Sequence, residues 1–499
     1  MTDRNVSRRT VLAGLLAGAG QTALAGAPQS SLVPVARPGV GALAPVVPVA
    51  GADSLIKAAR LGGKISYVVA DGATGKVLEA HNPILGLPPA SVAKAMTAQY
   101  ALESLGQDHR FATRLLAMGD VENGRLNGDL VLLGGGDPTL DSTALAQMAA
   151  GLKATGLREV SGRFLVASGG LPHVHQIDAA QPAHLSYNPA VSGLNLNFNR
   201  VHFEWKKTSG GYTVLMDART VKYRPQVMLA QMKIIDRGAP VYTYANGGGT
   251  ERWTVARGAL GKGGSRWLPV RQPELYAGEV FQTFARAQGI KLPGPILDTA
   301  PMTGTVLVDR QSPKLVDILR AMLKHSTNLT AEVTGLSASV ARGATVGGLG
   351  QSAREMSRWM RDDLGAPNPR FVDHSGLGDK SRISATDMVS ALVSVGTDSM
   401  LASLMKKIEP RDSKGKLMLG EGRSLRAKTG TLNFVSGLAG YVNDAKGRDL
   451  VFAIFSADLP RRAAISRAER ERPAGARGWS RQARALQWRL LERWVRLYG

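Results

Sequence analysis

A serine three residues ahead of a lysine, Ser91-Val92-Ala93-Lys94, has the spacing of a nucleophile and its base. On a helix, positions three apart share a face, so the hydroxyl and the amine come within reach of a proton transfer. Two further motifs follow in order. Ser326-Thr327-Asn328 offers a second hydroxyl and an amide, and Lys428-Thr429-Gly430-Thr431 offers a cation with hydroxyl and backbone donors suited to a carboxylate. Together they describe acyl transfer: Ser91 attacks a carbonyl, Lys94 takes its proton, and Ser326, Asn328, Lys428, Thr429 and Thr431 surround a substrate that carries a carboxylate.

Ser-x-x-Lys recurs by chance in long chains, Ser91 or Ser326 could simply cap a helix, and Lys-Thr-Gly is an ordinary turn tripeptide. Context decides against those readings. Pro88-Pro89-Ala90 precedes Ser91, and Val92 to Leu102 is apolar and helical in pattern, which puts the serine at a helix N-terminus where free N–H groups favour an oxyanion. Leu315, Ile318, Leu319, Met322 and Leu323 have helical spacing and end just before Ser326, and a second helical run starts at Leu329. Lys428 opens a strand-like stretch. Val435 to Val442 and Leu450 to Ala457 follow it, joined by the turn sequence Asn443-Asp444-Ala445-Lys446-Gly447, so Lys428 is expected at a sheet edge beside the site.

Other chemistries lack their signatures. Gly134-Gly135-Gly136-Asp137 and Gly347-Gly348-Leu349-Gly350 lack the spacing and the following lysine of a phosphate loop. His325 and His374 adjoin serines, but there is no Gly-x-Ser-x-Gly elbow for a Ser-His-Asp triad. No His-x-x-x-His pair suggests zinc, and neither a metal nor an organic cofactor is expected.

The three motifs match those of the penicillin-recognising serine transferases. About 235 residues separate Ser91 from Ser326. The intervening Gly134-Gly135-Gly136-Asp137-Pro138, Tyr187-Asn188-Pro189 and Leu194-Asn195-Leu196-Asn197-Phe198-Asn199, with Asp373-His374-Ser375-Gly376-Leu377 further on, resemble the low-molecular-mass class C penicillin-binding proteins. That group comprises the D-alanyl-D-alanine carboxypeptidases and endopeptidases of serine peptidase family S13. The resemblance runs from about Ser54 to Leu459.

It implies an α/β (α+β) fold, an antiparallel sheet flanked by helices, with a β-rich domain inserted. It also implies a peptidoglycan stem peptide ending in D-Ala-D-Ala as substrate and β-lactams as covalent inhibitors. Ser91, Lys94 and Ser326 would be catalytic. Asn328, Lys428, Thr429 and Thr431 would bind substrate, and the N–H groups of Ser91 and Thr431 would hold the oxyanion. Two departures bear on side-chain selectivity: His374 stands where glycine is usual, and the loop Gly378-Asp379-Lys380-Ser381-Arg382 is slightly long, with Arg382 a candidate reader of an acidic side chain. Glu332 is the one nearby carboxylate that invites comparison with a water-activating β-lactamase residue. A β-lactamase or esterase of the same superfamily, and a non-catalytic murein-binding protein, remain as alternatives.

With 499 residues the chain is long enough for two or three units. Ser7-Arg8-Arg9-Thr10-Val11-Leu12, an apolar Gly/Ala-rich run and Ala23-Leu24-Ala25 resemble a twin-arginine signal peptide, which implies export to the periplasm. The organisation read from the sequence is a signal peptide over 1–25, a flexible lead over 26–53, a discontinuous catalytic domain over 54–118 and 273–460, a β-rich insertion over 119–272 and a basic helix over 461–499. No cysteine is present, so no disulfide or thiolate enters the argument.

The net charge of +23 comes without any nucleic-acid-binding motif, and export argues against such a partner. From Arg461 onward eleven arginines face three glutamates, which accounts for +8 of it. Leu486, Leu490, Leu491, Trp494 and Leu497 form one helical stripe there. It suits docking on the catalytic domain with a solvated basic rim, or peripheral contact with an anionic membrane.

Overall fold

The computed structural model describes residues 49–411, 416–420, 423–443 and 447–498. The expected signal peptide and the lead as far as residue 48 lie outside them, as does the Asp444-Ala445-Lys446 centre of the expected hairpin turn. At the other end of the lead a helix, Ala52–Ala59, has already begun.

Everything that carries the three motifs is organised around one six-stranded antiparallel sheet. Its order is Lys406–Ile408, Leu425–Leu432, Val435–Asn443, Asp449–Ala457, Lys64–Asp71, Val77–His81. The first hairpin of the described chain thus pairs with the last, and the sheet closes across nearly four hundred intervening residues.

Its central strands are apolar at almost every position because both faces are covered. On Asp449–Ala457, Val451, Ala453 and Phe455 join the core on one side, while Leu450, Phe452 and Ile454 join the core on the other. The first side packs against Ala93–Leu105, Leu315–His325, Asn328–Ala341, Leu349–Leu364 and Ala385–Val395. Ala93–Leu105 is one of the most buried of these. Ala93, Ala95, Ala98 and Ala101 are among its buried residues, and such small side chains let neighbouring backbones approach closely.

The opposite side takes the C-terminal helix, Ala476–Tyr498. It buries Trp479, Ala483, Leu486, Leu490, Leu491, Trp494 and Val495. Polar contacts fix its register: Trp479 Nε1 donates to the Leu61 carbonyl at 2.7 Å, and Gln487 Nε2 to Ser436 Oγ at 3.0 Å. Arg493 Nε donates to Glu79 at 3.0 Å. Of the stripe read from the sequence only Leu497 remains exposed. Among the described residues no helix is long and apolar enough to cross a membrane.

The inserted region carries its own core. Its main sheet runs Pro295–Leu297, Phe164–Ala167, Arg125–Gly134, Ala112–Glu122, Thr305–Gln311, with Glu159–Val160 beside Arg125–Gly134. Two three-stranded sheets accompany it: Tyr242–Asn246, Glu251–Ala256, Ala230–Ile235, and Gly263–Pro269, Arg200–Thr208, Gly211–Asp217. The main sheet therefore reaches beyond the 119–272 interval at both ends. Its edge strand Thr305–Gln311 has no buried position, and its one apolar run, Val306-Leu307-Val308, is only three residues long. The region also holds two helices, Ser142–Ala154 and Pro273–Ala287, packed together inside that core.

Candidate active site

Ser91 sits in a 3-10 turn, Ala90–Val92, that leads directly into Ala93–Leu105. The turn begins with Ala90 at φ +48°, a left-handed conformation that a residue with a Cβ rarely adopts. Two glycines hold it from either side. A Cβ on Gly376, itself at φ +73°, would lie 1.9 Å from the Ala90 carbonyl oxygen, and one on Gly430 would lie 2.6 Å from that of Pro89. The glycine of Lys-Thr-Gly thus lets the strand press against the serine's turn, a packing role that its sequence context does not display.

One turn along the helix, the fully buried Lys94 Nζ lies 3.1 Å from Ser91 Oγ, 2.7 Å from Asn328 Oδ1 and 2.8 Å from the Ser375 carbonyl oxygen. Burial pushes its pKa down, and the negative charges of Glu332 and Asp373 oppose that shift.

Lys428 lies under the opposite wall, with Nζ 3.1 Å from Ser326 Oγ and 2.7 Å from the Thr429 carbonyl oxygen. Burial first, then the charges of Lys94 and Lys406, bring it down to about 7. Ser326 reaches it from the end of Leu315–His325, where it adopts φ +57°, and the next helix starts at Asn328. Two helix ends thus aim one side chain each into the cleft.

Lys428 is inside a strand rather than opening one, since Leu425–Leu432 pairs with Val435–Asn443 throughout. Its strand is second from the edge, but the outer strand covers only Leu425 to Ala427, so among the described residues the edge from Lys428 onward is open. A two-residue turn, Asn433-Phe434, closes the hairpin and makes Leu432 and Val435 its hydrogen-bonded pair. By alternation the Thr431 pair is not hydrogen-bonded across the hairpin. The N–H and C=O of Thr431 therefore point outward along the open edge. Thr429 and Thr431 are both exposed on one face of the strand.

Several groups at the site have no signature in the three motifs. Asn328 Nδ2 donates to the Tyr187 carbonyl at 2.8 Å, tying the second motif to the inserted region. Glu332, fully buried, accepts the N–H groups of His374 and Ser375 at 2.9 Å each. Asp373 accepts those of Gly376 at 2.8 Å and Gly378 at 2.5 Å. Burial raises the pKa of both carboxyls.

Glu332 thereby holds in place the loop whose Ser375 carbonyl meets Lys94, which differs from the water-activating role its position first suggests. His374 contacts Ser352 through Nε2 at 2.7 Å, so its ring is paired away from Ser91. Arg382 donates to the carbonyls of Asp379 and Ser381 in its own loop, at 2.5 and 2.8 Å. The signal that could have found this loop was in view, since Asp373-His374-Ser375-Gly376-Leu377 and Tyr187-Asn188-Pro189 both stand out as segments. Their chemistry is carried by backbone carbonyls and N–H groups, which residue types do not encode.

Ser91, Ser326, Asn328 and Thr431 open together onto one cleft of about 890 Å³, with Tyr187, Gly376 and Leu377 also in its walls. Lys94 and Lys428 are buried behind these walls, each against one of the two serines. A serine whose hydroxyl meets a desolvated amine, facing an open strand edge beside a second lysine, is the equipment of an acyl-transferring serine hydrolase.

Residues 49–474 match the profile of the D-Ala-D-Ala carboxypeptidase 3 (S13) family. The chain belongs to that family and is a serine-type D-alanyl-D-alanine carboxypeptidase. It is 29% identical over 451 residues to a D-alanyl-D-alanine carboxypeptidase of Actinomadura sp. (strain R39), covering 81% of this chain and 79% of the relative. It is 25% identical over 417 residues to the D-alanyl-D-alanine carboxypeptidase DacB of Haemophilus influenzae, covering 79% and 85%. Its fold superposes on the crystal structure of penicillin binding protein 4 (dacB) from Haemophilus influenzae with a TM-score of 0.69 at 20% identity, covering 90% of this chain and 98% of that one. The same protein in complex with a β-lactam gives 0.68. The fold is thus the penicillin-recognising serine transferase fold with an inserted domain that the motifs led one to expect.

Proposed function

We propose that Ser91 is the acylated nucleophile and that Lys94 is its base. The observation that supports this best is the set of partners around Lys94 Nζ. A neutral amine has two N–H donors and one lone pair. With the donors taken by Asn328 Oδ1 and the Ser375 carbonyl, the lone pair is left for the Ser91 hydroxyl. The depressed pKa brings the neutral form within reach at working pH.

The substrate is a peptidoglycan stem ending in D-Ala-D-Ala. Its terminal carboxylate lies on Lys428 and the hydroxyls of Thr429 and Thr431. Asn328 Oδ1 retains a lone pair for a substrate N–H. Ser91 Oγ forms a bond to the penultimate carbonyl carbon as its proton passes to Lys94. The oxyanion takes the N–H groups of Ser91 and Thr431, each contributing about 3 to 4 kcal/mol in comparable sites. Ser326, bonded to Lys428, relays a proton to the leaving D-Ala amine, and water then releases the acyl group. A D-Ala-diaminopimelate cross-link presents the same carbonyl, so endopeptidase action uses the same steps. A β-lactam also acylates Ser91, and its tethered ring remnant obstructs water.

We take the catalytic unit as the two segments flanking the inserted sheets, with 112–311 as the insertion. The Arg-Arg leader supports export to the periplasm by the twin-arginine route. The C-terminal helix buries its apolar stripe on the sheet except for Leu497, so any contact with a membrane would rest on its arginines and that one leucine.

The test is the intact mass of the protein after brief exposure to penicillin G, followed by D-Ala release from a pentapeptide stem. A stable adduct with D-Ala release supports the reading. An adduct that clears within seconds supports the β-lactamase alternative, and no adduct with no release supports the non-catalytic one.

A further inference from the structure

Beyond the three motifs, the cleft is walled by the first two turns of the C-terminal helix, a segment that lies past the end of the family match at residue 474. Arg477, Arg481 and Arg484 line it. Their spacing of four and three residues places them on one helix face, roughly opposite the Trp479, Ala483, Leu486 and Leu490 face buried on the sheet. Like charges at this spacing repel each other, so the face carries an electrostatic cost in the unliganded protein.

The other charged groups of the cleft are paired. Arg462 is salt-bridged to Asp379, Arg470 lies 3.7 Å from the same carboxylate, and Glu471 meets His184 at 2.8 Å and Arg266 at 3.0 Å. Arg477, Arg481 and Arg484 have no hydrogen bond or ion pair among the described residues. Three unneutralised guanidinium groups therefore face the space that contains Ser91.

In the binding mode proposed above, the upstream part of the substrate runs toward this wall. With its terminal carboxylate at Lys428 and its scissile carbonyl at Ser91, a donor peptide lying along the open strand edge runs on past Thr431 and Leu432 toward Asn433. A second cavity of about 590 Å³ continues the cleft at that end. It shares Tyr187, Asn433, Glu471, Ala476 and Arg477 with the first and adds Arg266 and Arg472.

We propose that Arg477, Arg481 and Arg484 form a subsite for a free carboxylate on the donor peptide upstream of the scissile bond, so that the enzyme distinguishes acidic stems from amidated ones. The inference rests on the function proposed above. Guanidinium groups suit this task because each can present two parallel N–H donors to a carboxylate, whereas a carboxamide offers one acceptor and no charge.

The test uses two pentapeptides that differ at one group: L-Ala-γ-D-Glu-L-Lys-D-Ala-D-Ala with its free α-carboxylate, and the same peptide with that carboxylate amidated. Wild type should release D-Ala from the acidic peptide with a kcat/KM about tenfold higher, and the ratio should shrink as salt screens the wall. In the triple variant R477Q/R481Q/R484Q the ratio should fall to about one, and each single variant should lower it in part. Arg489→Gln, on the same helix but outside the cleft, should keep the wild-type ratio. Because the readout is a ratio within one protein, partial unfolding of a variant does not imitate the effect.

Equal rates on the two peptides in wild type, or a preference that survives in the triple variant, would overturn the subsite while leaving the carboxypeptidase reading intact. Failure of wild type to turn over either peptide or to form a penicillin adduct would instead overturn the function on which it rests.

Discussion

The catalytic region and the inserted region both bury charge, but they use it differently. In the insertion, Glu251 is fully buried and accepts the N–H groups of Arg271 and Gln272 at 2.6 and 2.8 Å. The guanidinium of Arg271, equally buried, donates to the carbonyls of His175, Ala183 and Asn188 at 2.7 to 3.1 Å. These partners are backbone groups that neither move nor titrate, so the charges act as staples. In the catalytic region Lys94 has two acceptors that do not titrate, the Asn328 side-chain amide and the Ser375 carbonyl, and its third partner is the Ser91 hydroxyl, which can give up its proton. Burial stiffens the first site, and in the mechanism proposed above it makes the second reactive, because desolvation works on whichever proton remains free to move.

Mutations can test that contrast, and the largest expected effect is at the nucleophile. Ser91→Ala should abolish the penicillin adduct and lower D-Ala release by at least about 10⁴-fold, with the melting temperature nearly unchanged. Residual release within tenfold of wild type would place the chemistry elsewhere. Lys94→Met keeps the bulk of the side chain and removes the base, so acylation by penicillin G should slow by about 10² to 10⁴-fold, read by stopped-flow or timed mass spectra.

In the insertion the balance should reverse. Arg271→Met leaves the buried Asn188 carbonyl and the half-buried carbonyls of His175 and Ala183 without their donor, and removes the cation that faces Glu251, a loss of about 3 kcal/mol in denaturant unfolding. Among the molecules that remain folded, the penicillin acylation rate should match wild type. A slowed rate in that fraction would mean that the two regions are not separable.

The smallest effects are in the pH dependence of stability. Burial pushes the Glu251 carboxyl up to about 7, so the folded protein holds a proton there that the unfolded chain loses at its ordinary carboxyl pKa. Stability from this group is fully present below that ordinary value and is lost as pH rises through about 7, by at most about 1.4 kcal/mol per pH unit. Glu251→Gln should remove that decline from unfolding curves.

His374 works in the opposite sense. Burial brings it down to about 3, so it stays neutral in the fold while the unfolded chain takes up a proton near 6.5. Stability is complete above 6.5 and is lost as pH falls toward 3. His374→Asn should flatten that acid limb by about one proton's slope.

The three motifs were legible because each concentrates its chemistry in side chains at short, fixed spacing. Ser91 and Lys94 needed only a helix to meet, and a run of alanines with apolar neighbours supplied that helix. The catalytic sheet was legible in its hairpins, since strands buried on both faces are written as apolar runs. The limits of the inserted sheet were harder to read because Thr305–Gln311 is an exposed edge strand with only a three-residue apolar run, and its pairing with Ala112–Glu122 spans almost two hundred residues. The stripe on the C-terminal helix was plain, but its occupant was not, because a sheet and a bilayer ask for the same apolar face.

By itself, then, the sequence determined the reaction class and the helices and strands that carry the three motifs, and it singled out Ser91 and Lys94 as the proposed nucleophile and base, all of which depend on residue type and local periodicity. The tertiary structure decided what surrounds them. It gave Lys94 its two acceptors that do not titrate, set Glu332 to hold a loop, opened the strand edge beyond Lys428 and turned three arginines toward the cleft. Those outcomes depend on backbone groups and on contacts between residues far apart in the chain, and neither leaves a mark in the order of side chains.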